Sequence, residues 1–462
     1  MKPPVPEMAE RAKTSLETNR RPGNNSRASL FSKWLDKAST HPFLAFLPFL
    51  FFFVVLVVLK NNDAFESDEA RYYMFSQNLL KGYYSDPPPN FNLWNGPGYP
   101  IFLMPFVALK LPMISIGLVN AVFQYLAIVF FFKTASRLGV AKLGLVFCIF
   151  LGLNYPSWVE LPQIMTETMT TFLVSAIGLL IVKGYQEEKR WQFITAGLLL
   201  GYLVLVKIIF SNVLLAFLAG SFFLWLFNRK KPVFRQLLII PVIAFLVNVP
   251  YLLYTWNLTG KKLYWGNSGG MSLYWMSTPY PGEYGEWHNS TISLYDRNET
   301  ADSIIMFNEK KLQDNHRADY AEIYALPPQE QDDAFKKKAI ENIKAHPVKF
   351  ARNMIANAGR LIFDYPYSYT YQTETSLLRI SVNGILLTLI LLSALISALN
   401  WRRIPFSLRV IVLIMLLYLG GSLLVSVYQR MFYVILPWML LWVSYVLTHS
   451  VRINLKLPVQ NK

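Results

Sequence analysis

Residues 42–80 read PFLAFLPFLFFFVVLVVLKNNDAFESDEARYYMFSQNLL. The first half, about 42–59, is an apolar run of the length that crosses a bilayer. The second half is polar. It carries Glu66, Asp68 and Glu69 within a few residues of the expected bilayer edge, followed by Arg71, Tyr72 and Tyr73. Charge so close to hydrocarbon is costly, so a chain of formal net charge +16 needs a reason to put three acids there. A helix starting at this point supplies part of one: Ser67 would serve as N-cap, and acids in the first turn are favoured by the helix dipole.

Outward from this stretch the same alternation recurs. The chain has 462 residues, 53% hydrophobic and 16% charged, against about 25% charged in a soluble domain. Further apolar runs fall at about 112–132, 142–158, 161–182, 192–209, 211–227, 236–256, 376–400, 406–427 and 431–449. With the first, they predict about ten transmembrane helices. The run 98–109 is too short to span and is expected to lie in the interface or re-enter. These runs divide the chain into a disordered basic tail (1–41), an N-terminal membrane module of about seven spans (42–256) with a first outer loop (60–98), an outer domain (257–375), a three-span module (376–450) and a short tail (451–462). A short interfacial helix is expected at LFSKWLDKA, residues 30–38. No cleavable signal peptide is evident, so the first run reads as a retained span. The single cysteine, Cys148, excludes an intrachain disulfide framework or a cysteine metal site.

The basic excess is not a nucleic-acid signature, because it is partitioned. With the N-terminus inside, the inside connections carry Lys133, Arg137 and Lys142; Lys183, Lys189 and Arg190; Arg229, Lys230, Lys231 and Arg235; Arg402, Arg403 and Arg409; and Arg452 and Lys456. The outer connections are short or acid-balanced. That is the positive-inside pattern, and it predicts both termini on the cytoplasmic side. In the outer domain, KKLYWGNSGGMSLYWMSTPYPGEYGEWHNS (261–290) predicts loop or short strands, with Tyr264, Trp265, Tyr274, Trp275 and Trp287 available either to stack on sugars or to pack the domain. Helices are predicted after Pro327–Pro328 and at Pro347. The sequons NLT, NST and NET are weak signals. No internal repeat supports an inverted-repeat transporter.

The polar residues that intrude on apolar surroundings collect on the outer side. Asp68 and Glu69 lie in the first loop, and NGPGYP (95–100) closes that loop. Glu167 is expected one to two turns inside its span, Lys207 ends another, and Arg430 begins the last. Each of the two cations alone is also explained as a snorkelling anchor. All of them on one face point instead to a shared site.

Several of these stretches resemble the GT-C glycosyltransferases, multi-span enzymes that take sugars from polyprenyl-phosphate carriers, and within them the aminoarabinose transferase and protein O-mannosyltransferase branch. The resemblance is carried by SDEARYYMFSQNLLKGYY (67–84), NGPGYPIFLMPF (95–106), YPSWVELPQIMTETMTTFL (155–173), GLLLGYLVLVK (197–207) and QRMFYVILP (429–437). It implies an all-α polytopic membrane protein of GT-C type with an extracytoplasmic mixed domain. It also implies an inverting transfer of a hexose or pentose from a polyprenyl-phosphate carrier to a lipid, glycan or protein. Asp68 would be the catalytic acid, with Glu69 beside it and Glu167 matching a second acidic position. Lys207, Arg430 and Arg71 would meet the donor phosphate. Tyr72, Asn95 and Tyr99 would line the acceptor or sugar pocket. Thr166 stands where some members carry a further acid, so no metal site is assigned. No cofactor is expected to be required, and a divalent metal stays an alternative. The expected partners are the lipid-linked sugar, membrane lipids and the acceptor, with no nucleic acid. The expected location is a bacterial inner membrane, with the site on the periplasmic face. The alternatives are an oligosaccharide ligase or glycan-extending enzyme with a pyrophosphate-linked donor and, third, a lipid-linked sugar transporter.

Overall fold

The computed structural model describes residues 29–60, 68–288, 304–372 and 374–450. Ser67 and Glu66, the sequons at Asn289 and Asn298, and both tails beyond residues 29 and 450 lie outside them. The described residues form helices and irregular segments with no strand.

Each of the ten expected spans corresponds to a helix. After a first amphipathic helix, α1 (Leu30–Thr40), come α2 (Leu47–Lys60), α3 (Asp68–Leu80), α4 (Gly98–Ala108), α5 (Ile114–Arg137), α6 (Ala141–Gly152), α7 (Tyr155–Glu160), α8 (Glu167–Glu187), α9 (Arg190–Val206), α10 (Phe210–Phe227) and α11 (Pro232–Thr259). The outer segment holds α12 (Gly269–Met276), α13 (Ile304–Tyr324), α14 (Pro328–Ala345) and α15 (Pro347–Phe363). The chain then closes with α16 (Glu374–Asn400), α17 (Phe406–Leu423), α18 (Arg430–Tyr433) and α19 (Leu436–His449). Among the described residues six helices are long and apolar enough to cross a membrane on their own: α5, α8, α10, α11, α16 and α17. The spans at α2, α6, α9 and α19 are shorter. At about 1.5 Å per residue, α19 covers about 21 Å, and α18 extends it toward full thickness. The chain is an all-helical, multi-pass membrane protein.

The spans pack around α8, which is mostly buried, while α16 keeps most of its surface exposed at the edge of the bundle. Close approach fixes the pairing. The Gly201 Cα in α9 lies against α11, where a Cβ would meet the Ala244 carbonyl oxygen at 2.8 Å. Small residues at four-residue spacing allow this in membrane helices. Trp438 of α19 donates its indole N–H to the Val174 carbonyl of α8 at 2.8 Å. Phe210 of α10 stacks on Tyr418 of α17 at 4.6 Å. At the basic end, Arg137 pairs with Glu187 at 2.9 Å, and Tyr185 packs on Phe406. The basic connections therefore share one end of the bundle, and the outer segment sits at the other.

The first part of that segment, expected as loop or short strands, is irregular at residues 261–268 and 277–288 and helical between them. Residues 269–276 form α12, because the Asp332 carboxylate of α14 accepts from the Gly270 and Met271 N–H groups at 2.7 and 3.3 Å. The cap satisfies donors a helix start leaves open. Met271, Tyr274 and Trp275 then pack with Leu312, Tyr320, Ile323 and Phe335 in a small core. The helices after Pro328 and Pro347 form where predicted.

Candidate active site

A cavity of about 1000 Å³ opens between the helix ends and the outer segment. Its lining includes Asp68, Glu69, Arg71, Asn95, Glu160, Glu167 and Arg430, together with Trp94, Ser268, Ser272, Trp287 and Tyr428. Four helices, α3, α7, α8 and α18, supply these charged groups, so the site exists only in the assembled fold.

Glu167 is the first residue of α8 rather than one to two turns inside a helix. Pro156 and Pro162 break the expected continuous spans, and α7 and an irregular stretch intervene. An acid at this N-terminus is favoured by the helix dipole. Its Oε1 takes a 2.8 Å bond from Lys207 Nζ and lies 3.6 Å from Arg430 Nε. Lys207 leaves α9 with extended backbone as its C-cap, and the tight turn into α10 aims its ammonium at Glu167. The pair is nearly sealed, with side-chain exposures of 11% and 7%.

Asp68 begins α3. One carboxylate oxygen accepts from Arg71 Nη2 at 2.5 Å and the other from Arg430 Nη2 at 3.1 Å. Arg430 thus bridges Asp68 and Glu167 while keeping 30% of its side chain exposed to the cavity. Arg71 lies over the Trp94 ring at 4.9 Å. Glu69 accepts the Ile164 N–H at 2.7 Å and so ties α3 to the stretch before α8.

The expected sugar-pocket residues divide. Asn95 lines the cavity and donates to the Tyr72 hydroxyl at 3.0 Å. Tyr72 and Tyr99 are buried beneath it, ring against ring at 5.1 Å. Burial, reinforced by the charge of Glu167, pushes the Tyr72 phenol well above its ordinary range. Lys207 lies behind Glu167 and is not part of the lining. Of the five aromatics expected either to stack or to pack, Trp265, Tyr274 and Trp275 are buried in packing, and Trp287 reaches the cavity. The NGPG stretch has a packing reason: a Cβ on Gly96 would fall 2.0 Å from the Leu205 carbonyl oxygen. Only glycine lets the loop lie on the turn that presents Lys207.

The outer segment also holds Arg430 in place. Asn357 of α15 donates to the Val425 carbonyl at 2.7 Å and accepts the Val427 N–H at 3.2 Å. Arg360 braces Asn357 at 2.8 Å and the Tyr284 carbonyl at 2.9 Å. Ser426 donates to the Gly285 carbonyl at 2.6 Å. Residues 425–427 are thus fixed just before the arginine. The partners are far apart in sequence, which is why sequence reading missed them.

Glu160 was also missed. It ends α7 and lines the cavity. Burial, then the nearby Glu167 charge, pushes its carboxyl up to about 7, against the pull of Arg430 and Lys207. Its stretch, SWVELPQ, is a connection rather than a span, so no membrane-depth argument marked it. Among the described residues no three His, Cys, Asp or Glu side chains gather as a metal-ligand set.

No protein-family model matches the chain, and a search of curated proteins finds no match. Among solved structures, the chain is similar to the crystal structure of ArnT from Cupriavidus metallidurans bound to undecaprenyl phosphate. The identity is 13%, covering 89% of this chain and 78% of that one, with a TM-score of 0.39.

Proposed function

We propose that the protein is a membrane glycosyltransferase that moves a sugar from a polyprenyl-phosphate carrier to an acceptor hydroxyl in the cavity. The observation that carries the reading is Arg430. It is a guanidinium held between two carboxylates at the end of a membrane bundle, still partly open to a cavity of about 1000 Å³. A lipid phosphate lies at that depth, and a guanidinium suits its oxygens by bidentate contact. In the reaction the bond between the anomeric carbon and the phosphate oxygen breaks, and a bond to the acceptor oxygen forms. Charge builds on the departing phosphate monoester, where Arg430 and Arg71 stabilise it. Asp68 sets the orientation of both arginines, and Lys207 holds Glu167 against the Arg430 edge. The part of the lining formed by Trp94, Trp287 and the serines receives the acceptor. A single displacement inverts the anomeric centre.

In this reading no cofactor is required, because side-chain cations already neutralise the acids. A divalent ion at Asp68 or Glu167 would have to displace Arg430. The distribution of Lys and Arg supports a cavity on the extracytoplasmic side and both termini in the cytoplasm, in the inner membrane if the cell is bacterial.

The test is transfer of labelled sugar from polyprenyl-phosphate donors by the purified protein and its Arg430→Gln and Asp68→Asn variants. Removing one preorganised donor to a developing anion costs about 10²–10³ in rate. Losses of that size with an unchanged thermal transition support the assignment. Wild-type rates in both variants would remove these residues from the mechanism.

A further inference from the structure

We infer that Glu160 is the group that takes the acceptor's proton, a catalytic residue distinct from Asp68, Glu69 and Glu167. The inference rests on the transfer reading above and assigns the one role that reading leaves unfilled.

A proton must leave the acceptor hydroxyl as its oxygen attacks, and the base must present an open oxygen to the cavity. Five carboxylates line the cavity. Asp364 is taken at one oxygen by Arg379 and at the other by the Tyr367 hydroxyl. Asp68 has an arginine on each oxygen. Glu167 is held at Oε1 by Lys207 and Arg430 and is 7% exposed. Its Oε2 accepts from the Thr166 hydroxyl at 3.3 Å. Glu69 spends an oxygen on the Ile164 N–H and so anchors the chain. Glu160 also lines the cavity, and its Oε2 is buried with no hydrogen-bond partner among the described residues. A buried carboxylate oxygen without a donor is costly, and such orphans call for an explanation. The residue itself is only half-buried, so an acceptor hydroxyl arriving in the cavity would meet a carboxylate that no described donor holds.

The backbone around Glu160 is rigid. The Trp158 indole donates to the Gly152 carbonyl at 3.0 Å, and Asn154 bonds Ser157 at 2.9 Å. On the other side Asn120 of α5 holds the carbonyls of Leu161 and Gln163 at 3.1 and 2.9 Å. A base so fixed loses little entropy in reaching its substrate. The short helix α7 packs against α8 and α18, which carry Glu167 and Arg430. The charged groups that act on Glu160 are Glu167, Arg430, Lys207 and Glu69.

The step balances without a co-reactant. The acceptor O–H proton passes to the Glu160 carboxylate. The acceptor oxygen bonds the anomeric carbon, and the electron pair of the broken bond leaves with the polyprenyl phosphate. The site then resets by losing the proton to water. An acid whose titration sits near 7 suits this cycle, because a base works best when its pKa is near the operating pH.

The experiment uses full-length protein in nanodiscs. Undecaprenyl-phosphate esters of several hexoses and pentoses serve as donors, and a membrane extract serves as acceptor source. In Glu160→Gln, kcat should fall about 10²–10³-fold with donor KM within about twofold. Wild-type rate should fall as pH drops below about 7, the protonation midpoint of Glu160, and that limb should vanish in Glu160→Gln. Glu160→Asp should recover part of the rate and keep a limb. A merely structural role would lower the thermal transition and leave the pH limb in the residual activity, which would overturn the assignment. Wild-type rate and profile in Glu160→Gln would overturn it too while leaving the transferase reading intact. No turnover by wild type with any donor would overturn both.

Discussion

At the scale of single residues, the site is a set of charges that neutralise one another. Glu167 and Lys207 form its least exposed pair. Removing one member of a buried pair costs about 3–5 kcal/mol, because the other charge is stranded. Glu167→Gln is therefore expected to lower the thermal transition of the detergent-solubilised protein, and adding Lys207→Met to recover much of the loss. A single variant as stable as wild type would show that the pair contributes nothing, and a double variant no more stable than the single would rule out a stranded lysine as the cause. These residues were legible in the sequence because each is a charge on apolar ground. Glu160 was not, since it falls between two expected spans, where no membrane-depth cost marks a carboxylate. The same limit hid Asn357 and Arg360, which look like ordinary helix residues until α15 lies against residues 425–427.

At the scale of elements, the helix ends matter more than the helix interiors. α3 and α8 start with the acids, α9 ends with the lysine and α18 starts with the arginine. Hydropathy located these helices but misplaced the start of α8, because it cannot see that Pro156 and Pro162 replace one helix by a short helix and a bend. The expectation of loop or short strands for residues 261–290 holds for the irregular stretches on either side of α12 but misses the helix itself, which the Asp332 cap and the packing of Tyr274 and Trp275 favour. The contact of the first loop with the end of α9 gives a sharp test. Gly96→Ala puts a methyl where the Leu205 carbonyl stands. Overpacking of this kind costs about 1–3 kcal/mol, and the turn bearing Lys207 must shift. Transfer should fall at least about tenfold, read as kcat/KM with the same donor. Unchanged kinetics and stability would mean that the loop is free to move away.

At the scale of the whole molecule, two ends of one bundle have different chemistry. The basic connections meet at one end, where Arg137 joins Glu187 and His449 lies 3.2 Å from the Leu138 carbonyl. The cavity and outer segment occupy the other. The alternation of spans and Lys/Arg made this legible without coordinates, whereas the clamp of the outer segment on Arg430 depends on contacts between distant residues. In intact spheroplasts carrying Cys148→Ser, a membrane-impermeant maleimide should label Lys344→Cys and leave Arg402→Cys unlabelled until lysis. The reverse pattern would invert the topology and put the cavity in the cytoplasm.

The most direct measurement is donor turnover by the purified wild-type protein, following free polyprenyl phosphate by mass spectrometry and the labelled sugar in the acceptor. Equal amounts of both from a monophosphate-linked donor, with Arg430→Gln reduced about a hundredfold, are what the site predicts. Consumption of pyrophosphate-linked donors alone, or movement of an intact donor across the bilayer without release of polyprenyl phosphate, would contradict it.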